Sequence, residues 1–147
     1  FKQSAITSRS ILVSHLLTEL FARFTPIGGQ DTSQPLPYDP STPIPTQLST
    51  SLNRSLTNLH TTYLDSYLLH SPLNTLNRTL SAWAELAKFQ DEGKVKRIGV
   101  CNTYDVSVLE ALDEVRKVEV VQNRWYQGNQ WDKEVRRWCE SKGVIYQ

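Results

Sequence analysis

An α/β fold with parallel strands is what the sequence predicts, and two observations carry that prediction. From about Thr46 onward, apolar residues alternate between a helical period and short runs of strand character. These units recur every roughly 25–35 residues, close to the ~30 residues of a strand–helix–strand unit. Strands linked through helices in this way lie parallel, with right-handed crossovers. Both an open doubly wound sheet and a closed (β/α)8 barrel satisfy the pattern.

Each element follows from local pattern. Leu48, Leu52, Leu56 and Leu59 recur at helical spacing. "YLDSYLLH", Tyr63 to His70, is short, aromatic-rich and closed by Ser71-Pro72, as a strand would be. Leu76, Leu80, Trp83 and Ala87 form the next helical stripe, with Gly93 as its stop. "VKRIGV" reads as a strand. Val106, Leu109, Leu112 and Val115 make a third helix, with Asp105 as the acid at its start. "VEVVQNRW" reads as a strand, and Val135, Trp138 and Lys142 share one face of a helix that Gly143 ends. "VIYQ" begins a further strand.

The first 45 residues behave differently. Ile11, Leu12, Leu16, Leu17, Leu20 and Phe24 fall near one face of a single amphipathic helix, so 1–24 is expected to be largely helical. Its polar face has few basic residues, which argues against an interfacial membrane helix. Pro26, Pro35, Pro37, Pro40, Pro43 and Pro45 then exclude regular helix and predict a long irregular surface loop.

Composition narrows the function classes. A chain of 147 residues, 39% of them hydrophobic, can bury a real core. A net charge of +1 gives no electrostatic reason to expect nucleic acid or an anionic membrane as partner. Cys101 and Cys139 form no CxxC pair, so neither a disulfide framework nor a metal site is expected. No apolar run is long enough to span a bilayer, and a cytoplasmic location is the expectation. The triplets at Asn53 and Asn77 lie in helical patterns and read as chance glycosylation matches. The chain contains no methionine, which leads us to expect a piece of a longer product.

In parallel α/β architectures ligands meet the carboxyl ends of the strands. Those ends hold His70, then Cys101-Asn102, then Gln122-Asn123, and finally "IYQ". An imidazole and carboxamides there offer paired donors and acceptors. Each also has a plainer reading. His70 can simply end its strand, Asn102 can cap the next helix although Asp105 is better placed for that, and Gln122 can satisfy nearby backbone. His15 and His60 sit in helical contexts and read as structural. Trp125, Tyr126 and Trp131 either line a pocket or pack. GxGxxG, P-loop, GxSxG and HExxH motifs are absent, which removes the common nucleotide, hydrolase and zincin readings.

"YLDSYLLHSP", "LAKFQDEGKVKRIGVCN" and "VEVVQNRWY", in this order and spacing, resemble the aldo-keto reductases. The likeness is to that family's "DLYLLHxP", "GKVRxIGVSN" and "VxQxxY" segments and covers about Thr46 to Gln147. It implies a TIM barrel, (β/α)8, that binds NADPH at its carboxyl-end face and moves hydride between nicotinamide and an aldehyde or ketone. His70 matches the family's active-site histidine, which hydrogen-bonds the substrate carbonyl. Asn102 and Gln122 match the pair that holds the nicotinamide carboxamide, fixing which face of the ring presents its hydride. Cys101 stands where the family has serine and offers a softer contact.

The departures are equally specific. The family's lysine lies in a "TKF"-like strand, and the equivalent stretch here reads Ala22-Arg23-Phe24-Thr25-Pro26. Arginine keeps the charge but does not deprotonate. The family's acid tyrosine and its aspartate would lie upstream, and the adenosine-phosphate residues downstream. The expectation is therefore a partial barrel of about five of eight strands over 46–147, behind a non-family helix and Pro-rich loop over 1–45. Such a barrel exposes two edges through which self-association would run. The expected function is NADPH-dependent interconversion of small-molecule carbonyl substrates and alcohols. The 147-residue chain alone is expected to be inactive. The alternative is a non-catalytic barrel remnant serving as a binding or assembly module.

Overall fold

The computed structural model describes residues 20–26 and 35–147. Most of the helix expected over 1–24 lies outside them. Its described end is not helical: Phe21–Phe24 is a strand, β1. The local reason is a period of two. Ala22 and Phe24 are fully buried in the core while Arg23, between them, is only half-buried. Four residues are too few for that alternation to stand out from an upstream period of 3.6, and pairing with a neighbouring strand settles the matter.

Residues 35–43 make turns and bends. They are tied to β1 where Tyr38 stacks against Phe24, with ring centroids 5.1 Å apart, and donates its hydroxyl to the Thr25 carbonyl at 2.7 Å. Helix α1 (Ile44–Asn58) starts four residues before the first leucine of its stripe, Leu48, and so takes in the end of the stretch expected to be irregular, because Pro45 fits the first turn, where its missing N–H costs nothing. Then follow β2 (Leu64–Leu69), α2 (Leu76–Asp91), β3 (Val95–Cys101) and α3 (Val106–Val115). The series closes with β4 (Val120–Gln122), a 3-10 turn (Gln127–Asp132), α4 (Lys133–Lys142) and β5 (Ile145–Tyr146). Thr75 caps α2 by accepting from the Arg78 N–H, and Asp105 caps α3 by accepting from the Ser107 N–H at 2.8 Å. Gly143 ends α4 at φ 64°, in the left-handed region that glycine enters without penalty.

All four strand pairs are parallel, and the sheet order is β1-β2-β3-β4-β5. This order decides between the two architectures that the element pattern allowed. A doubly wound sheet reverses its strand order at a switch point; here every strand is laid beside the one before it, as in a barrel wall. The chain is thus an α/β fold with five adjacent parallel strands of a (β/α)8 type wall.

The two sheet faces are built differently. Phe24, Tyr67, Leu69, Ile98, Val100 and Val121 point toward the helices and join Leu48, Leu52, Trp83, Leu86, Leu109 and Leu112 in one core. Residues of the opposite parity, Leu68, Cys101 and Val120, form a separate small apolar cluster on the other face. Gly99 lies in register with Leu68 and Val120, and a Cβ there would press on the Val120 carbonyl oxygen. Among the described residues, no helix is long and apolar enough to cross a membrane, and no group of three His, Cys, Asp or Glu side chains could hold a metal ion.

Strand β4 is shorter than "VEVVQNRW" suggests: Asn123 makes one last cross-strand bond, its N–H donating to the Gln147 carbonyl at 3.1 Å, and Arg124 and Trp125 leave the ladder. The physical reason is the Asn123 side chain. Its Oδ1 accepts from the Thr103 N–H at 2.9 Å, and its Nδ2 donates to the Thr103 carbonyl and to Asp132 Oδ2. Beyond this residue side-chain bonds take over from the strand pairing.

Candidate functional site

Parallel pairing puts the carboxyl ends of all five strands at one end of the sheet, and the structure brings the residues named above together there. His70 follows directly on β2, its N–H donating to the Phe24 carbonyl of β1 at 2.8 Å. Asn102 follows β3; its N–H donates to the Gln122 carbonyl of β4 at 3.1 Å. Cys101 and Gln122 are register partners across β3 and β4, with the thiol 3.7 Å from Gln122 Oε1. Gln122 Nε2 in turn donates to Gln147 Oε1 at 3.2 Å, just beyond β5.

Asn102 is not a helix cap. Asp105 does that work, and Asn102 Nδ2 donates to the His70 carbonyl at 2.7 Å instead. Its backbone is left-handed, φ 52°, a conformation that Asn adopts more readily than most residues. One N–H of the amide thus ties the β3 end to the β2 end, leaving an acceptor oxygen and a second N–H by the ordinary inventory of a carboxamide.

Arg23 lies on β1 opposite Leu68, with Nη1 3.5 Å from His70 Nδ1. Burial lowers the His70 pKa below its ordinary value, and the neighbouring Arg23 charge lowers it further, so the imidazole is neutral at pH 7. Burial pushes the Cys101 thiol up to about 11, partly offset by Arg23, so it stays protonated. The site therefore holds a neutral imidazole, a neutral thiol and carboxamides beside one fixed cation. It can donate to a ligand oxygen and pair with an amide, and it contains no ready thiolate nucleophile.

Of the two tyrosines nearest the ends of β4 and β5, Tyr126 and Tyr146, the second is committed to a carboxylate. Tyr146 donates its hydroxyl to Asp132 Oδ2 at 2.8 Å; burial and that carboxylate raise its pKa. Tyr126 is half exposed in the loop after β4. Trp125 and Trp131 are also exposed, with ring centroids 4.6 Å apart, and they belong to neither core cluster. His60 is exposed at the end of α1, and His15 lies outside the described residues.

Two features went unread in the sequence. The first is the pairing of β1 with β2 that sets Arg23 beside His70; the resemblance aligns Arg23 with a strand, while periodicity extends a helix over it. The second is the buried carboxylate of Asp132, which accepts from both Asn123 and Tyr146. It follows Gln130 and Trp131 in a run of three left-handed residues, and an acid in front of a helix carries no signal beyond that of a cap.

With this geometry in place, the likenesses to known proteins fall on one family. A sequence model of the Aldo/keto reductase family matches residues 39–146. Methylglyoxal reductase DkgA of Salmonella typhimurium is 37% identical over 71 residues, covering 48% of this chain and 26% of that protein. An aldo/keto reductase structure from Brucella melitensis superposes with a TM-score of 0.60 at 28% identity, covering 68% of this chain and 39% of that one. An aldo/keto reductase of Klebsiella pneumoniae, solved with NADP and acetate, shares the fold at a TM-score of 0.59 and 24% identity, over 86% of this chain and 40% of that one. The alignments with the DkgA proteins span about a quarter of those relatives' length. The family model covers well over half of the chain, and the strand-end residues stand in a five-stranded wall of the matching architecture; this chain belongs to the aldo/keto reductase family.

Proposed function

We propose that this chain supplies the carbonyl-polarising and nicotinamide-holding part of an NADPH-dependent oxidoreductase that interconverts aldehydes or ketones and alcohols. One observation carries the reading: His70, Asn102 and Gln122 occupy successive carboxyl ends of adjacent parallel strands and are joined by direct hydrogen bonds. The donor set suits the cofactor's amide end. A nicotinamide carboxamide needs one acceptor for its N–H and one donor for its oxygen, and Asn102 with Gln122 offers both. NADPH, when bound, supplies the hydride. The chain's own residues orient the ring and direct a neutral N–H of His70 at the substrate oxygen, in the role of an oxyanion-type donor. Cys101 steadies Gln122 through a weak sulfur contact.

A second reading, a barrel kept for binding or assembly, has one observation in its favour. Arg23 lies beside His70 on the neighbouring strand, in the stretch the resemblance matches to the family's lysine, and a guanidinium does not release a proton to tune an acid.

Fluorescence titration of NADPH, together with the oxidation of NADPH by a reactive aldehyde, separates these readings. Asn102→Ala and Gln122→Ala are each expected to weaken NADPH binding about tenfold, the loss of about 1 kcal/mol or slightly more per hydrogen bond. His70→Ala is expected to keep NADPH binding and to lose whatever turnover the unmodified protein shows. NADPH affinity indifferent to both carboxamide changes would overturn the cofactor assignment, and tight binding without turnover in the unmodified protein would favour the second reading.

A further inference from the structure

The Arg23–His70 pair has a consequence for the state of the imidazole. A guanidinium carries N–H donors and no acceptor, and it remains protonated at any pH the protein meets. His70 Nδ1 lies 3.5 Å from Arg23 Nη1. A hydrogen on Nδ1 would point at the N–H groups of a cation, whereas a lone pair there is attracted to them. We infer that Arg23 is a positioning residue that holds His70 as its Nε2–H tautomer, turning the Nδ1 lone pair to the guanidinium and leaving Nε2–H as the donor to a ligand oxygen.

The surroundings of the pair support this. The His70 backbone is held from both sides, its N–H by the Phe24 carbonyl at 2.8 Å and its carbonyl by Asn102 Nδ2 at 2.7 Å. Phe24 directly follows Arg23 on β1, so the anchor of the ring and the anchor of the guanidinium belong to one hydrogen-bonded unit. The groups around the pair do not compete for Nδ1. Leu68, the register partner of Arg23, is apolar; Cys101, a hydrogen-bond partner of Arg23, is a neutral thiol; Asn102 spends an N–H on the His70 backbone carbonyl. Among the described residues, Arg23 is the one charge that acts on the imidazole, and it disfavours a second positive charge there. An ammonium would be a mobile point charge; a planar guanidinium presents a fixed edge, so the tautomer preference persists across the working pH range.

The inference rests on the proposed function only for the identity of the acceptor, a carbonyl oxygen; the tautomer itself is a property of the free protein. Long-range proton–nitrogen NMR of protein carrying 15N-histidine reads it directly. The chain has three histidines, and His70→Gln assigns the signal. The unmodified protein is expected to show an unprotonated Nδ1 and a protonated Nε2 at pH 7, titrating below the ordinary histidine value. Arg23→Met is expected to mix the tautomers and raise the titration midpoint, and Arg23→Lys to keep the midpoint low. A Nδ1–H tautomer in the unmodified protein would overturn the inference, as would an Arg23→Met protein with native amide dispersion and an unchanged His70 signal. Should Arg23→Met fail to fold, the unmodified tautomer and the Arg23→Lys midpoint decide between them. NADPH titration of the same samples reports separately on the cofactor reading: a protein that does not bind NADPH still gives the tautomer.

Discussion

The two faces of one sheet divide the work of this molecule. Toward the helices, every strand contributes apolar side chains to a single continuous core. On the opposite face, the apolar floor among the described residues is Leu68, Cys101 and Val120, and around it stand Arg23, His70 and Gln122. The residues alternate along the same strands, so neighbours in sequence serve different ends: Phe24 packs while Arg23 is polar, and Val121 packs while Gln122 bonds. A strand's period of two lets one short segment supply stability to one side and chemistry to the other. Substitution on the helix side should therefore cost stability, and substitution on the inner face should change the site.

The largest expected break in that comparison is Trp83→Ala. Trp83 is fully buried among the helix-side residues, and its indole N–H donates to the Arg116 carbonyl at 3.0 Å. Its removal should cost about 3–5 kcal/mol of unfolding free energy, enough to threaten a domain of this size. Urea denaturation followed by circular dichroism measures it. A loss under 1 kcal/mol would show that the helix-side core is not the main source of stability.

Gly99→Ala comes next and tests the other face. The added methyl would meet the Val120 carbonyl, which is backbone and cannot turn aside, and Leu68 Cδ2 at 2.6 Å. Overpacking of this kind costs about 1–3 kcal/mol. Because β3 and β4 must separate to admit the methyl, the Cys101–Gln122 register above it should shift, and NADPH binding should weaken along with stability. Unchanged binding in a destabilised variant would mean that the floor and the strand ends move independently.

The smallest effect is on pH dependence. The folded His70 pKa lies below its unfolded value, so between the two the unfolded chain binds more protons than the folded one. The contribution is fully present above an unfolded value of about 6.5 and is lost as pH falls from there through the folded pKa. Comparing the denaturation midpoints of the unmodified protein and His70→Gln from pH 7.5 to 5 should show the steeper acid-side loss only with histidine present. Parallel curves would exclude a depressed His70.

How much of the site was legible depended on whether local sequence could carry it. His70, Asn102 and Gln122 were readable because each ends a run of strand character, and parallel strands send all such ends to one side. The Asn102 bond to the His70 carbonyl was not readable: it joins residues 32 apart in the chain, and local sequence could say only that Asp105 was the better cap, not where the Asn102 amide would go. Strand β1 was lost for a different reason. A four-residue alternation cannot outweigh a longer upstream pattern, and only a partner strand makes Phe21–Phe24 extended. Asp132 was silent because nothing nearby in sequence marks a carboxylate as buried; Tyr146, 14 residues on, supplies its hydroxyl.

By itself, the sequence determined the alternation of strands and helices from α1 to β5, the caps at Asp105 and Gly143, and the residues at the strand ends. These follow from periodicity, turn chemistry and backbone sterics within a few residues of one another. The tertiary structure alone decided that the strands lie in unbroken sequential order, that Arg23 stands beside His70, and that Asn102 binds across strands rather than capping a helix. Strand order, register and the fate of a polar side chain are set by which distant backbone groups come within about 3 Å, and no local pattern encodes that distance.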